Sequence, residues 1–206
     1  NFFGKPIIHY PLEQALKSKK FNKIHISTES KDIKKVLKKY QKYIDFLRPK
    51  NLAKDNTDLM KVIRFVVKKY QDVGKNFDEV WCILPCSPLI TEKDINECSK
   101  IILKYKKPVV AASPFPVSLN WAFQIKKGFI YKTSEKKMRD KKLSKIKSYY
   151  DSGQIYCFPT KFIKNNVFNF NQKICTYKLP IERSVDIDTE DDWKLAKILF
   201  KGNYMN

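Results

Sequence analysis

The chain has 206 residues, of which 43% are hydrophobic, so it is long enough to bury a core and too apolar to be disordered. Its 42 basic and 21 acidic residues give a formal net charge of +21, a balance typical of proteins that bind nucleic acids. However, only four of the basic residues are arginine and the lysines are scattered, which favours a solvated surface over a nucleic-acid-binding patch. The apolar runs are too short to span a bilayer and no secretory leader begins the sequence, so we expect no membrane partner.

Cysteine usage indicates a reducing compartment. The five cysteines are an odd number without a Cys-x-x-Cys pair, and two histidines are too few to complete a zinc site of the usual spacing. We therefore expect reduced, mostly buried thiols and a cytoplasmic location. The cysteines are Cys82, Cys86, Cys98, Cys157 and Cys175.

The first half of the chain alternates between helical and extended patterns. Apolar residues recur at helical spacing in some segments and at every second position in others. The predicted elements are a helix over 10–19, a strand over 23–27, a helix capped by Ser30 and continuing to Tyr40, a strand over 44–47, and a helix beginning at Asn56 or Thr57.

The alternation continues with two strongly hydrophobic strands. Residues 80–84 are continuously apolar, as in a parallel strand that is covered on both faces. Thr91 and Asp94 form a capping-box pattern at the start of a helix, and a second buried strand follows over 109–112. Four alternations of strand and helix predict an α/β fold with a mostly parallel sheet.

The pattern changes between residues 114 and 150. Two short apolar segments, 121–125 and 129–131, predict a hairpin that turns at Lys127-Gly128, and a lysine-rich loop follows over 134–147. A strand is predicted again over 152–158. Because no linker or internal repeat is visible, we predict one domain over 1–206 with an inserted arm over 114–150.

An acidic motif follows the last predicted strand, 175–180. Asp186 and Asp188 alternate around Ile187, so in an extended backbone their side chains share one face. Two such carboxylates can hold a hard divalent cation and leave its other positions to water and substrate phosphates, as Mg²⁺ prefers. A helix is predicted to begin at Thr189, and the alternative interpretation is that Asp188 only caps this helix.

Several of these motifs, together with the strand ends at which ligands of open α/β sheets bind, resemble one enzyme family. The chain is similar to the cytidylyltransferases that activate nine-carbon ulosonic acids, above all to the pseudaminic acid branch, alongside the CMP-sialic acid synthetases. The motifs that carry the resemblance are Ile26-Ser27-Thr28, Phe46-Leu47-Arg48-Pro49, Pro85-Cys86-Ser87-Pro88-Leu89, Tyr150-Asp151-Ser152-Gly153-Gln154-Ile155-Tyr156 and Val185-Asp186-Ile187-Asp188-Thr189-Glu190-Asp191-Asp192-Trp193.

The resemblance implies a fold and a reaction. The fold is a Rossmann-like three-layer nucleotidyltransferase fold with a mostly parallel sheet, and its inserted arm, 114–150, makes a homodimer. The reaction transfers CMP from CTP to the anomeric hydroxyl of the sugar acid for cell-surface or flagellin glycosylation, with Mg²⁺ held by the catalytic residues Asp186 and Asp188. The resemblance assigns nucleotide binding to Ser27, Arg48, Thr57, Pro85, Cys86 and Ser87, and sugar binding to Phe115, Tyr150, Asp151, Gln154 and Tyr156.

The chain departs from the family pattern at three places. The family's first strand and its Pro-Ala-Arg-Gly-Gly-Ser-Lys loop are expected ahead of Asn1, Cys86 stands where the family usually has threonine, and an Arg-Ser-Gln-Asp-like loop is matched only by Arg139-Asp140. The alternatives to a pseudaminic acid enzyme are a CMP-sialic or CMP-legionaminic acid synthetase and, in another class, a basic non-catalytic domain that binds nucleic acids.

Overall fold

A four-stranded sheet lies at the centre of the fold. The computed structural model describes residues 1–132, 147–165, 168 and 171–205. The central strands are β1 (Glu79–Ile83), β2 (Val109–Pro114), β5 (Tyr149–Pro159) and β6 (Cys175–Lys178), and a separate hairpin consists of β3 (Phe123–Lys126) and β4 (Phe129–Lys132).

Three of the four central strands run in the same direction. The order across the sheet is β1-β5-β2-β6, in which β5 is antiparallel to both β1 and β2, and β6 is parallel to β2. The predicted mostly parallel sheet is therefore confirmed. The reversed β5 has a consequence for function, because its first residues lie at the edge where the other three strands end.

Helices cover both faces of the sheet. On one face, Val109, Ala111 and Ile155 pack against α4, while on the other Val110 and Tyr156 pack against α3 and α5, as alternation along a strand requires. The result is the predicted three-layer α/β/α arrangement. The helices are α1 (His9–Ser18), α2 (Lys31–Val36), α3 (Leu59–Gln71), α4 (Glu92–Tyr105), α5 (Thr160–Asn165) and α6 (Glu190–Tyr204).

The two segments predicted as strands over 23–27 and 44–47 are not strands. They lie beside each other and are joined by two backbone hydrogen bonds, from Ile26 N–H to the Tyr43 carbonyl at 2.7 Å and from Arg48 N–H to the Thr28 carbonyl at 2.8 Å. Ile26 and Ile44 are buried in a small cluster with side chains of α1. The apolar alternation thus reflects burial of side chains rather than a regular hydrogen-bonded ladder.

Two helix boundaries also differ from the prediction. Ser30 caps α2 as expected, with its Oγ accepting from two backbone N–H groups, but the α-helix ends at Val36 and continues only as a 3₁₀ turn over Lys38–Tyr43. The next helix begins later than Asn56 or Thr57, because the Asp58 carboxylate accepts from Met60 N–H at 2.9 Å and caps α3 there.

The predicted hairpin is confirmed, with its turn at Lys127 and Gly128, both of which have positive φ. Its apolar side chains are exposed to solvent: Ile125 and Phe129 are 69% and 68% exposed. Of the lysine-rich loop predicted over 134–147, residues 134–146 lie outside the described residues, as does the Arg139-Asp140 match. Across the described ranges, no helix is long and apolar enough to cross a membrane.

A buried ion pair attaches the segment after β6 to the start of α4. The Arg183 guanidinium binds both carboxylate oxygens of Asp94, which is fully buried, and Tyr177 donates to the same carboxylate at 2.6 Å. Burial alone would raise the pKa of Asp94, but these hydrogen bonds hold it below its usual range. Asp94 also completes the predicted capping box with Thr91, which is confirmed.

We predict that Arg183→Ala lowers the free energy of unfolding by about 3–5 kcal/mol, because it leaves a buried carboxylate without its partner. Since the pKa of Asp94 is lowered in the folded protein, the stability contributed by the pair is present above about pH 4 and is lost as the pH falls further. Urea unfolding at several pH values measures both effects.

The matched control is Lys194→Ala, which removes a solvent-exposed pair with Asp191 and should cost less than about 1 kcal/mol. Equal losses in the two variants would show that the Arg183–Asp94 pair has no special role.

Candidate active site at the sheet edge

The strand directions gather the predicted site residues at one edge of the sheet. Because β1, β2 and β6 end where β5 begins, the Pro85–Ser87 turn after β1, Asp151 near the start of β5, and the segment that follows β6 approach one another. The carboxyl edge of an open sheet is where ligands of α/β proteins bind.

Asp186 and Asp188 lie on the extended segment just before α6. The cap of this helix is Thr189, whose Oγ accepts from Asp192 N–H at 3.2 Å while the Asp192 carboxylate accepts from Thr189 N–H at 2.9 Å. The alternative that Asp188 serves only as the cap is therefore wrong. The Asp188 carboxylate is exposed at the site and is not used by the helix start.

The two aspartates form an uncompensated patch of negative charge. Partial burial raises the pKa of Asp186, and the nearby carboxylates of Asp188 and Asp151 raise it further. Burial raises the pKa of the Cys86 thiol, and the charges of Asp186 and Asp188 raise it further. The turn after β1 is therefore close enough for the charges of both aspartates to act on it. Although the chain is strongly basic, no lysine or arginine among the described residues pairs with either aspartate.

This patch fits Mg²⁺ better than a cation that needs a complete protein cage. In the part of the chain that the structure describes, no group of three or more His, Cys, Asp and Glu side chains is placed to hold a metal ion. Two carboxylates alone suit Mg²⁺, which is commonly bound through one or two carboxylates plus substrate phosphates and water.

A bulge in β5 shapes the neighbouring part of the site. Val110 of β2 pairs with Tyr156 and Ala112 pairs with Asp151, so β5 has extra residues over this interval. Within the bulge, the Asp151 carboxylate accepts from Gly153 N–H at 3.0 Å and from the Tyr156 hydroxyl at 2.8 Å. Burial and the Asp151 charge raise the pKa of Tyr156, so its hydroxyl stays protonated and keeps donating.

Gln154 is buried, with 1% of its surface exposed, and contacts the backbone of the segment that leads to Asp186. Its Nε2 donates to the backbone carbonyls of Arg183 at 3.1 Å and Val185 at 3.2 Å. Its Oε1 has no partner among the described residues. The amide thus ties β5 to the backbone next to Asp186.

An open cleft of about 450 Å³ begins at Asp186 and extends beside α6, where Leu195 and Leu199 line it. Tyr150 also lines the cleft, and its hydroxyl lies 2.9 Å from Ser184 Oγ. Because Ser184 already donates to the Ile181 carbonyl, Tyr150 is the donor to Ser184 and its oxygen remains able to accept. The Phe115 ring contacts Tyr150 at a centroid distance of 5.0 Å, which places a second predicted sugar-binding residue next to Tyr150 but not in the lining of the cleft.

The predicted nucleotide-binding residues contain several buried polar atoms without a partner. Arg48 donates to Glu29 at 2.7 Å through one nitrogen, but its Nε and the hydroxyls of Ser27 and Ser87 form no hydrogen bond within the described ranges. Such groups are rare in folded proteins, and a bound ligand is one explanation for them.

The remaining members of the nucleotide set are connected to the site less directly. Arg48 is close enough to Cys82 of β1 for its charge to lower the pKa of that thiol, although burial raises that pKa to about 12. Pro85 is exposed in the turn after β1. Thr57 lies outside α3 and donates its N–H to the Lys54 carbonyl, and no described contact joins it to the aspartates.

Three residues of the site were missed by sequence reasoning. Gly153 lies against Asp186, and Ser184 positions Tyr150. Arg183 anchors the segment that contains Ser184 and Asp186 to α4. For Gly153 a signal was available, because a glycine inside a strand often marks a bulge or a close backbone approach. For Arg183 and Ser184 no local pattern gives the partner, which is distant along the chain.

The fold is shared with solved structures. The chain aligns with a CMP:2-keto-3-deoxy-manno-octonic acid synthetase complexed with CTP at a TM-score of 0.70, 11% identity, and coverage of 98% of this chain and 90% of that one. It aligns with 4-diphosphocytidyl-2C-methyl-D-erythritol synthase of Anaerococcus prevotii at 0.64 and 13% identity, covering 98% and 88%. At these identities the likeness establishes the fold.

Sequence relatives are closer. The chain is 30% identical over 206 residues to the pseudaminic acid cytidylyltransferase of Campylobacter jejuni, covering 99% of this chain and 89% of that protein. It is 29% identical to the CMP-N,N'-diacetyllegionaminic acid synthase of Legionella pneumophila, covering 97% and 87%. The family described as "Cytidylyltransferase" matches residues 1–200, and this chain belongs to that family of nucleotidyl-transfer enzymes.

Proposed function

We propose that the protein transfers CMP from CTP to the anomeric hydroxyl of a nine-carbon ulosonic acid, pseudaminic acid, with release of pyrophosphate. The observation that carries the proposal is the uncompensated pair Asp186 and Asp188 at the carboxyl edge of the sheet. The family match and the 30% identity to a named pseudaminic acid enzyme support the substrate. The same match leaves the nucleic-acid-binding alternative without support.

In the proposed reaction the anomeric oxygen forms a bond to the α-phosphorus of CTP. The bond from that phosphorus to the bridging oxygen breaks, pyrophosphate leaves, and the sugar hydroxyl gives up its proton. Such transfers depend on positioning and charge neutralisation more than on covalent chemistry by the protein. The task of this chain is therefore to hold two anionic substrates together and in line.

Asp186 and Asp188 would hold Mg²⁺. When bound, this ion neutralises phosphate charge and orients the phosphate oxygens. When no cation is bound, the two carboxylates repel a phosphate group at this position. Burial and the neighbouring carboxylates raise the pKa of Asp186, and carboxylates with perturbed pKa values are common at functional sites.

The nucleotide would bind against the turn after β1. The unpaired hydroxyls of Ser27 and Ser87 and the unpaired Nε of Arg48 are suited to the polar edges of cytidine and its ribose. Pro85, Cys86 and Thr57 complete this proposed set. The Glu29 carboxylate keeps the Arg48 guanidinium in place by a hydrogen bond of 2.7 Å.

The sugar acid would occupy the cleft between β5 and α6. Tyr150 offers a free acceptor, Asp151 a carboxylate for sugar hydroxyls, and Phe115 an apolar ring. Gln154 and Tyr156 are buried, so their support is indirect: the first ties the backbone next to Asp186, and the second donates to Asp151. A legionaminic acid substrate is the second candidate, favoured by the 29% identity to the Legionella enzyme.

The same proposal includes a homodimer formed through the β3–β4 arm. The hairpin presents Ile125, Phe129 and Ile130 to solvent, with exposures of 69%, 68% and 62%. Ile125 and Ile130 pair across the two strands and share one face, and an exposed apolar face of this kind often marks a contact with a partner. We place the enzyme in the cytoplasm, where its five free thiols would remain reduced.

We predict pyrophosphate release from CTP in the presence of Mg²⁺ with pseudaminic acid, and none with sialic acid. Asp186→Asn and Asp188→Asn should each lower turnover at least about 10²-fold, because each removes charge needed to neutralise the transferring phosphate. The control is Asp191→Asn, a neighbouring carboxylate that pairs with Lys194 and should be tolerated. Wild-type rates in both site variants would disprove the assignment.

We predict that Asp186→Asn is more stable than the wild type when no divalent ion is present. The raised pKa means that the charged carboxylate is less favourable in the folded than in the unfolded protein at neutral pH, and asparagine removes that cost. With CTP present, added Mg²⁺ should raise the melting temperature of the wild type but not of the variant. An equal rise in both would place the metal elsewhere.

We predict that Ile125→Lys combined with Phe129→Lys converts the dimer to a monomer. The two charges, one on each face of the exposed hairpin, oppose its burial against a second copy. Sedimentation velocity measures the state, and Leu103→Lys on α4, where the side chain is 53% exposed, is the control that should leave it unchanged. A dimer that persists in the double variant would exclude the hairpin as its interface.

A further inference from the structure

The β5 bulge brings Gly153 into direct contact with the Asp186 carboxylate. A Cβ atom at Gly153 would lie 2.4 Å from Asp186 Oδ2 and 2.9 Å from its Cγ, distances that side chains do not tolerate. The backbone there also has φ of +65°, which favours glycine. Gly74 and Gly128 share the positive φ, but nothing lies within 4 Å of a Cβ at either position.

The backbone around Asp186 cannot easily move away from such a clash. Val185 is buried against Leu89 and Ala196, and its carbonyl accepts from Gln154 Nε2 at 3.2 Å. Ile187, on the other side, packs against the same cluster. The clash caused by an added side chain at residue 153 would therefore be relieved mainly by rotation of the Asp186 carboxylate.

Rotation of that carboxylate would move its oxygens from the position that they now hold against Gly153. Asp186 is held close to Asp188 although like charges repel, and the surface of Gly153 is where its oxygens rest. The stretch 151–154, which the family resemblance assigns to the sugar, thus contacts the segment 183–186 through Gly153 and Gln154. The charge of Asp151 also acts on Asp186.

We propose that Gly153 is a positioning residue for Asp186: the lack of a side chain at the β5 bulge allows the carboxylate to lie in the one orientation that, with Asp188, holds the divalent cation. The metal role rests on the proposed function. The steric coupling between residues 153 and 186 does not, and it can be measured without activity.

A double-mutant cycle in thermal stability tests the coupling. Gly153→Ala should lower the melting temperature more than Gly74→Ala, which reports the cost of alanine at positive φ alone. In an Asp186→Ala background the excess should vanish, because the clashing atoms are gone. In an Asp186→Asn background it should persist, because asparagine has the same shape as aspartate.

An excess that is unchanged by Asp186→Ala would overturn the proposal. If Gly153→Ala does not fold, its combination with Asp186→Ala should fold as well as Gly74→Ala does. Failure of the combination to fold would contradict the steric account as well.

The second readout is the Mg²⁺ dependence of pyrophosphate release. Gly153→Ala should raise the half-saturating Mg²⁺ concentration by about 10–100-fold, as loss of a group that orients a metal ligand does, while Gly74→Ala leaves it unchanged. An unaltered Mg²⁺ dependence in Gly153→Ala would also overturn the proposal. If the stability coupling is found but Asp186→Ala leaves Mg²⁺ dependence and turnover intact, the proposed function has failed and the steric coupling has not.

Discussion

The arrangement of the candidate site depends on how the chain between β6 and α6 is fixed. Arg183 binds the buried Asp94 carboxylate at the start of α4, and Gln154 binds two carbonyls of the same segment from β5. A buried charge pair of this type is a demanding constraint, since it is favourable only when both partners are in place. The position of Asp186, three residues after Arg183, follows from these attachments.

The reversed direction of β5 is the second constraint. In a sheet of purely parallel strands, the start of β5 would lie at the opposite edge, far from the acidic motif. Its antiparallel course brings Tyr150 and Asp151 to the edge where β1 ends with its turn and where Asp186 follows β6. The carboxylates, the proposed nucleotide turn and the proposed sugar cleft therefore meet because one strand runs against the other three.

Sequence periodicity and capping patterns predicted the buried strands, the hairpin turn and the start of α4 and α6, because each depends on neighbouring residues. The pattern was misleading over 23–27 and 44–47, where alternating apolar residues fill a local cluster without forming a ladder. The spacing of the acidic motif suggested Asp186 and Asp188 as candidate metal ligands, and the family resemblance assigned them that role. The contact of Gly153 with Asp186 and the pairing of Arg183 with Asp94 were not predictable, since each joins residues far apart in the chain.

The central claim is that Asp186 and Asp188 together hold the divalent ion that accompanies CTP. The most direct measurement is anomalous diffraction from crystals grown with CTP and Mn²⁺, a substitute for Mg²⁺ that scatters anomalously. The account predicts one strong peak at coordination distance from a carboxylate oxygen of each aspartate and from the CTP phosphates. A peak that contacts the phosphates but neither aspartate would contradict it.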